Sequence, residues 1–172
     1  MATDENVQDV VRELRRRLAE VESARVRAVG ELRYALVGAA LAVGMLALTA
    51  TNWMTGEDDS VYSLWGLVPE HWFALLTLVL VVVLALTTIG AALSDGSSRT
   101  THIVLVVLAV LAAAAVLFVG SVTPAGPVDA EDFHTAPGQW LTLLAALALA
   151  TLHGARAEEL KQGSGGARLR TW

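Results

Sequence analysis

Four long apolar runs, separated by polar segments, dominate the pattern of hydrophobic and polar positions along the chain. They cover about residues 34–53, 71–93, 102–122 and 137–153, and none has Asp, Glu, Lys or Arg between its ends. Because a helix rises about 1.5 Å per residue, about 20 apolar residues cross a hydrocarbon core of about 30 Å. Backbone groups in lipid must bond within their own segment, which favours helices. The pattern predicts an all-α membrane protein in which residues 34–155 form a four-transmembrane-helix bundle.

A second periodicity precedes the first run. Over residues 1–33, apolar side chains recur alternately three and four positions apart, as the a and d positions of a coiled coil do. The stripe consists of Val7, Val11, Leu14, Leu18 and Val21 and continues through Arg25, Ala28 and Leu32. It predicts an N-terminal amphipathic, coiled-coil-like helical arm, and Gly30 alone does not end such a helix.

Several roles are open for this arm. It pairs with a second copy, docks on a cytoplasmic partner protein, lies on the inner leaflet, or is a solvated helix that caps its own bundle. Seven acids and seven bases between residues 1 and 33 argue against a simple polybasic lipid anchor. If the arm pairs or docks on a partner, its stripe is the interaction surface. The candidate interaction residues are then Val7, Val11, Leu14, Leu18 and Val21.

The positive charges predict the orientation. Seven of the twelve Lys and Arg residues precede residue 34, Arg99 lies between the second and third runs, and four follow residue 155. The loops 54–70 and 123–136 contain none and carry acids instead. The positive-inside rule therefore makes these two loops the outer ones and places both termini in the cytoplasm. Residues 156–172, with Gly and Ser at 163–166, are predicted as a flexible cytoplasmic tail.

Composition supports a membrane protein and limits its chemistry. The chain of 172 residues is 55% hydrophobic and only 17% charged, and it has no Cys. A soluble domain carries about 25% charged residues, and without Cys there are no disulfides or thiolate metal sites. The basic residues are nearly all Arg, and Ala and Val are abundant, which is typical of GC-rich bacterial genomes. We therefore expect a bacterial plasma-membrane protein.

The first outer loop is rich in aromatic residues. Trp53 and Trp65 are predicted near the outer interface, where they form a second contact surface. Four spans with Trp53 and the stretch Leu64–Leu67 in this loop resemble claudin-type tetraspans in topology. The order of Trp and Gly-Leu is the reverse of the claudin signature, and the two Cys are absent. The resemblance therefore implies a topology and no paracellular function.

Candidate metal chemistry rests on four histidines. His71 and His134, with Asp129, Glu131 and Asp132, form a weak candidate metal site in the outer loops, since His and carboxylates suit divalent ions. No HxxxH-type spacing supports it. His102 and His153 are predicted at the inner ends of their helices, which argues against a haem held by two histidines inside the bundle. No cofactor is expected.

Other activities find little support in the sequence. No ionisable Asp, Glu, Lys or Arg lies within a span, which argues against transport by a single chain. No nucleophile elbow and no phosphate-binding loop occurs. The sequence therefore predicts a non-enzymatic scaffold or accessory subunit of a membrane complex, whose partners are the lipid bilayer and a protein or second copy, with no nucleic acid. A homo-oligomeric pore or channel is the alternative, and a metal- or haem-binding membrane protein ranks third.

Overall fold

A computed structural model describes residues 2–56, 60–69, 71–94, 98–119 and 134–168, with side chains from residue 10 to residue 162 within these ranges and that of Gln8. Helices account for most of this part of the chain. The elements in order are α1 (Ala2–Leu48), β1 (Asn52–Thr55), β2 (Val61–Ser63), α2 (Leu64–Leu67), α3 (Trp72–Leu93), α4 (Arg99–Val119), β3 (His134–Thr135) and α5 (Pro137–Arg168).

Four of these helices are long and apolar enough to cross a membrane. The qualifying segments are Val10–Leu48, Trp72–Leu93, Arg99–Val119 and Pro137–Gln162. This confirms the prediction of four candidate spans. The predicted arm and the first span belong to one helix, since α1 passes through Gly30 without a break.

The four long helices contact one another in a ring. Helix α1 packs against α3 and α5, and α4 packs against the same two helices. Small residues fill much of the interior, and they allow the close backbone approach that is typical of helices packed in lipid. Fully buried alanines lie on each of the four helices: Ala42, Ala85, Ala109, Ala112 and Ala146.

A small antiparallel sheet covers one end of these helices, which we call the sheet end. Its strand order is β2-β1-β3, with Thr55 opposite Val61 on one side and His134 on the other. The sequence pattern predicts loops over residues 54–70 and 123–136, where most of these strand residues lie. The strands have four, three and two residues, too few to produce a clear alternation of apolar and polar positions.

Helix α5 differs most from the expectation. It continues to Arg168, so the predicted flexible tail from residue 156 is helical up to that point, and residues 169–172 lie outside the described part. Ion pairs three residues apart support the extension, between Arg156 and Glu159 at 3.0 Å and between Glu158 and Lys161 at 3.4 Å.

Candidate functional site

A buried polar cluster lies between the helices at the end opposite the sheet, which we call the arm end. Each of the four long helices supplies one side chain: Tyr34 from α1, Thr88 from α3, His102 from α4 and His153 from α5. We call these four residues the histidine–tyrosine cluster. His102 and His153 are 0% and 1% exposed, and Thr88 is equally buried. The cluster is therefore a group of polar side chains enclosed in an otherwise apolar interior.

Three polar atoms meet at its centre. The Nδ1 atoms of His102 and His153 are 3.2 Å apart, and the Tyr34 Oη lies 3.1 Å from the first. The Tyr34 Oη also forms a short hydrogen bond with Nδ1 of His153. On the far side of the His153 ring, Nε2 lies 3.3 Å from Thr88 Oγ1. Both imidazoles therefore direct Nδ1 towards the same phenol oxygen.

Hydrogen positions can be assigned from this network. If Nε2–H of His153 donates to Thr88 Oγ1, Nδ1 of the same ring has a free lone pair and accepts from the Tyr34 hydroxyl. Nδ1–H of His102 then donates to the Tyr34 oxygen. Two neutral imidazoles and a neutral phenol satisfy every contact at the centre. Two imidazolium rings would not, since each Nδ1 would then be a donor facing a donor.

A charged group lies beside the cluster. The Arg156 guanidinium carbon is 5.7 Å from the centre of the Tyr34 ring, and its nitrogens lie 3.3 Å from Glu31 and 3.0 Å from Glu159. A cavity of about 130 Å³ opens next to these groups and is lined by Tyr34, Glu31, Arg156 and Ser94 among others. Tyr34 lines this polar mouth at the arm end, whereas His102, His153 and Thr88 are enclosed by the helices.

The predicted positions of two histidines are corrected here. The sequence predicts both at helix ends in the interface. His102 does lie in the first turn of α4, but both side chains are enclosed by the helices. His153 lies in the middle of α5 because that helix continues fifteen residues beyond it. Their Nδ1 atoms are in direct contact, which leaves no space for a haem between the two rings.

The outer-loop metal site gains no support from the described residues. His71 precedes α3 and His134 begins β3. Asp129, Glu131 and Asp132 lie outside the described residues. Within the described part, no three His, Cys, Asp or Glu side chains are grouped so that they could hold a metal ion.

The predicted interaction residues differ in exposure. Leu14, Leu18 and Val21 are 61%, 69% and 68% exposed, and Val11 is exposed as well, whereas the Val7 side chain lies outside the described part. Trp65 is exposed, and its indole N–H donates to Thr49 Oγ1 at 3.0 Å.

Trp53 is not available as a contact surface of this chain. It is completely buried, and its indole N–H donates to the carbonyl oxygen of Leu48 at 2.8 Å. The first span ends at Leu48 and not at the predicted residue 53, and Trp53 belongs to β1, from which its side chain enters the core.

Tyr34 and Thr88 were missed as site residues. Each stands in an apolar run with no motif around it, and the four cluster residues are far apart in sequence. The available signal was depth: Tyr34, His102 and His153 each lie near the arm-end boundary of a predicted span. Aligning the spans by depth would have placed them at one level.

Comparisons with known proteins give no family. Neither the protein-family models, the curated proteins nor the solved structures contain a significant match to this chain. Any function must therefore be argued from the molecule itself.

Proposed function

We propose that this chain is a non-enzymatic multi-pass protein of the bacterial plasma membrane that acts as a scaffold or accessory subunit of a membrane complex. The observation that carries the proposal is the apolar stripe of α1. Residues 2–33 of α1, which we call the α1 arm, expose Val11, Leu14, Leu18 and Val21 to solvent, and the described part of the chain does not cover them. A regular apolar stripe of this kind is typical of a surface that pairs with another helix.

The stripe faces away from the helices of its own chain. Tyr34 points into the histidine–tyrosine cluster, and it follows the stripe residue Leu32 by two positions, or about 200° around the helix. Leu32 and Leu36 are accordingly exposed, whereas Gly38, Ala42 and Met45 on the opposite face are buried. Residues 2–119 and 134–168, as far as the structure describes them, therefore leave the stripe uncovered.

The occupant that fits this surface is a second copy of the chain. Two copies inserted in one membrane with the same orientation bring their arms together in parallel. With Leu14 at d and Leu18 at a, Arg17 falls at g and Glu22 at the following e, and these two positions face each other across a parallel pair. Opposite charges then meet on both sides of the pair. Arg25 at an a position favours a defined register at some cost in stability.

Charge distribution supports the proposed orientation. In the sequence, residues 2–33 and 156–170 carry eleven of the twelve basic residues. The twelfth, Arg99, begins α4 at the arm end. The positive-inside rule assigns this end to the cytoplasm. The four-helix bundle would then span the membrane with its sheet outside and its termini inside.

Disrupting the stripe tests the proposal. In the double variant Leu14→Asp/Leu18→Asp, charges enter the centre of the paired arms, so we expect the dimer to be lost. Ala19→Asp/Ser23→Asp is the matched control, because it adds the same charge at exposed b and f positions of the same helix. Light scattering of the purified protein in mild detergent gives the mass of the assembly.

The result distinguishes three cases. A dimeric wild type and control with a monomeric stripe variant support pairing through the arm. A second outcome is a different protein that copurifies in equal amount and is lost only in the stripe variant. In that case the arm binds this partner and not a second copy, and the accessory role is supported. Unchanged assembly of the stripe variant removes the arm from the function.

The homo-oligomeric pore is the competing prediction. Its aqueous path would have to be lined by the outward faces of the spans, which in the described residues carry mainly large apolar side chains such as Leu75, Val79, Val107 and Leu144. Such faces suit lipid better than water or ions. Ion or solute flux into liposomes containing the purified dimer would contradict the scaffold proposal.

A further inference from the structure

We propose that Tyr34, His102 and His153 bind one divalent late first-row transition-metal ion, such as Zn²⁺ or Cu²⁺, through the phenolate oxygen and the two Nδ1 atoms. This site is separate from the pairing surface of the α1 arm and does not depend on the scaffold proposal. It lies at the meeting point of α1, α4 and α5.

The spacing of the three atoms carries the inference. Zn²⁺ lies about 2.0–2.1 Å from imidazole nitrogen, so two ligands of a tetrahedral site are about 3.3 Å apart. The two Nδ1 atoms are 3.2 Å apart, and the phenol oxygen is 3.1 Å from one of them. Its contact with the other Nδ1 is much shorter and has to lengthen before both atoms can bind one ion. Two of the three separations thus fit a single ion.

The residue types fit the same class of metal. Imidazole nitrogen suits zinc, copper, iron and nickel, and a tyrosine oxygen is a known iron ligand. The two histidines supply nitrogen donors. The phenol of Tyr34 completes the set.

A second layer of contacts orients the ligand ring. Metal-binding histidines commonly donate their other ring N–H to an acceptor, which fixes the tautomer and directs the free nitrogen to the metal. Thr88 Oγ1 lies 3.3 Å from Nε2 of His153 and can accept in this way. Its position on α3 means that the fourth helix contributes to the site without ligating.

Charge and access are compatible with a cation. Binding releases the phenol proton to solvent and requires the His102 proton to move from Nδ1 to Nε2, so that Nδ1 has a free lone pair. The ion and the phenolate together then carry one positive charge. Arg156 with its two partners, Glu31 and Glu159, carries one formal negative charge beside them. The cavity of about 130 Å³ leads as far as Tyr34, and it is large enough for a water molecule on the phenol side of the site.

Metal titration of the full-length protein tests the site. The purified protein is stripped with a chelator in detergent and titrated separately with Co²⁺ and Cu²⁺. We expect one tightly bound ion per chain, the strong visible absorption of tetrahedral Co²⁺, and its disappearance when Zn²⁺ is added. With Cu²⁺ we expect a phenolate-to-copper charge-transfer band in the visible range.

Four variants assign the ligands. Tyr34→Phe keeps the ring and should abolish the charge-transfer band, and His153→Ala should weaken Co²⁺ binding by more than 100-fold. Thr88→Val leaves all ligands in place and should weaken binding about 10–100-fold. The matched control His71→Ala/His134→Ala removes two histidines at the sheet end and should bind as the wild type does.

Several results would overturn the proposal. They are less than one tight ion per wild-type chain, a charge-transfer band that survives in Tyr34→Phe, or loss of binding in the sheet-end control. Circular dichroism checks that each variant folds. If His153→Ala does not fold, the proposal is still tested by the wild-type stoichiometry, the Tyr34→Phe spectrum and the sheet-end control.

Discussion

At the scale of single residues, the histidine–tyrosine cluster is the main departure from an otherwise apolar interior. A buried polar group without a partner costs about 1–3 kcal/mol, so each atom of the cluster needs its hydrogen bond. Tyr34, His102 and His153 satisfy one another, and Thr88 satisfies the outer nitrogen of His153. The cluster therefore stabilises one relative arrangement of the four helices, because a shifted helix would leave a polar atom unpaired in an apolar environment.

Two neighbouring threonines of α3 test this contribution. Thr88→Val removes the oxygen beside His153 and should lower the free energy of unfolding by about 1 kcal/mol. Thr87→Val on the adjacent, exposed face removes only a hydroxyl bonded to the carbonyl oxygens of its own helix, and its effect should stay within about 0.5 kcal/mol. The measurement is unfolding in detergent followed by circular dichroism. Equal effects of both substitutions would contradict a stabilising role of the cluster.

Gly138 is the residue on which the sheet end most depends. A Cβ atom at this position of α5 would lie only 2.5 Å from the carbonyl oxygen of Asn52, which belongs to β1. Backbone atoms cannot yield as a flexible side chain can, so only glycine allows this close approach.

Gly138→Ala should therefore lower the free energy of unfolding by about 1–3 kcal/mol. Gly44→Ala is the matched control, because a Cβ there meets nothing within 4 Å. Unfolding of both variants in the same detergent compares them. A Gly138→Ala protein as stable as the wild type would mean that β1 does not pack on α5 as described.

At the scale of elements, the continuity of α1 is the defining feature. Its 47 residues make a helix of about 70 Å, more than twice the thickness of a hydrocarbon core. About half of it must therefore extend beyond any membrane that the apolar half crosses. Salt bridges between Glu13 and both Arg16 and Arg17 support the helix in that half.

The absence of Cys makes pairing of the α1 arm directly measurable. In the proposed parallel dimer, Leu14 of one copy meets Leu14 of the other, so Leu14→Cys should form a disulfide in oxidised membrane vesicles. Arg16→Cys lies at an outward f position and should react at least about tenfold less. Electrophoresis without reductant separates the products. Equal crosslinking at both positions would contradict the assigned register.

The elements also show how far a sequence can be interpreted. The four candidate spans could be predicted because length and apolarity are properties of each segment alone. The sheet could not, because β1, β2 and β3 have few residues and pair with one another across the chain. The cluster could not either, since four helices bring Tyr34, Thr88, His102 and His153 together, and the spacing within any one helix does not reveal it.

At the scale of the whole molecule, the two ends differ in chemistry. At the sheet end, Trp53 of β1 is buried, and Trp65, Trp72 and Trp140 are exposed. Exposed tryptophans at one level are typical of a membrane–water interface. The arm end carries the basic residues and the polar mouth beside Arg156. The basic residues support the proposed orientation with the sheet outside, and the tryptophans support a membrane interface at the sheet end.

Single cysteines test that orientation in intact cells. Val61→Cys on the exposed edge of β2 should react with a membrane-impermeant thiol reagent before the cells are opened. Gln8→Cys in the α1 arm and Lys161→Cys on α5 should react only after permeabilisation. The reverse pattern would place the termini outside and contradict the cytoplasmic assignment of the arm.

The unbroken course of α1 has a mechanical consequence. A helix without a hinge transmits rotation along its length, so a twist applied to the stripe at Leu14 and Leu18 turns the whole helix about its axis. Tyr34 belongs to this helix, whereas His102 and His153 belong to other helices. Any partner that binds the arm therefore exerts torque on the phenol. The distance from the phenol oxygen to the two imidazoles then reports how far the bound arm has turned.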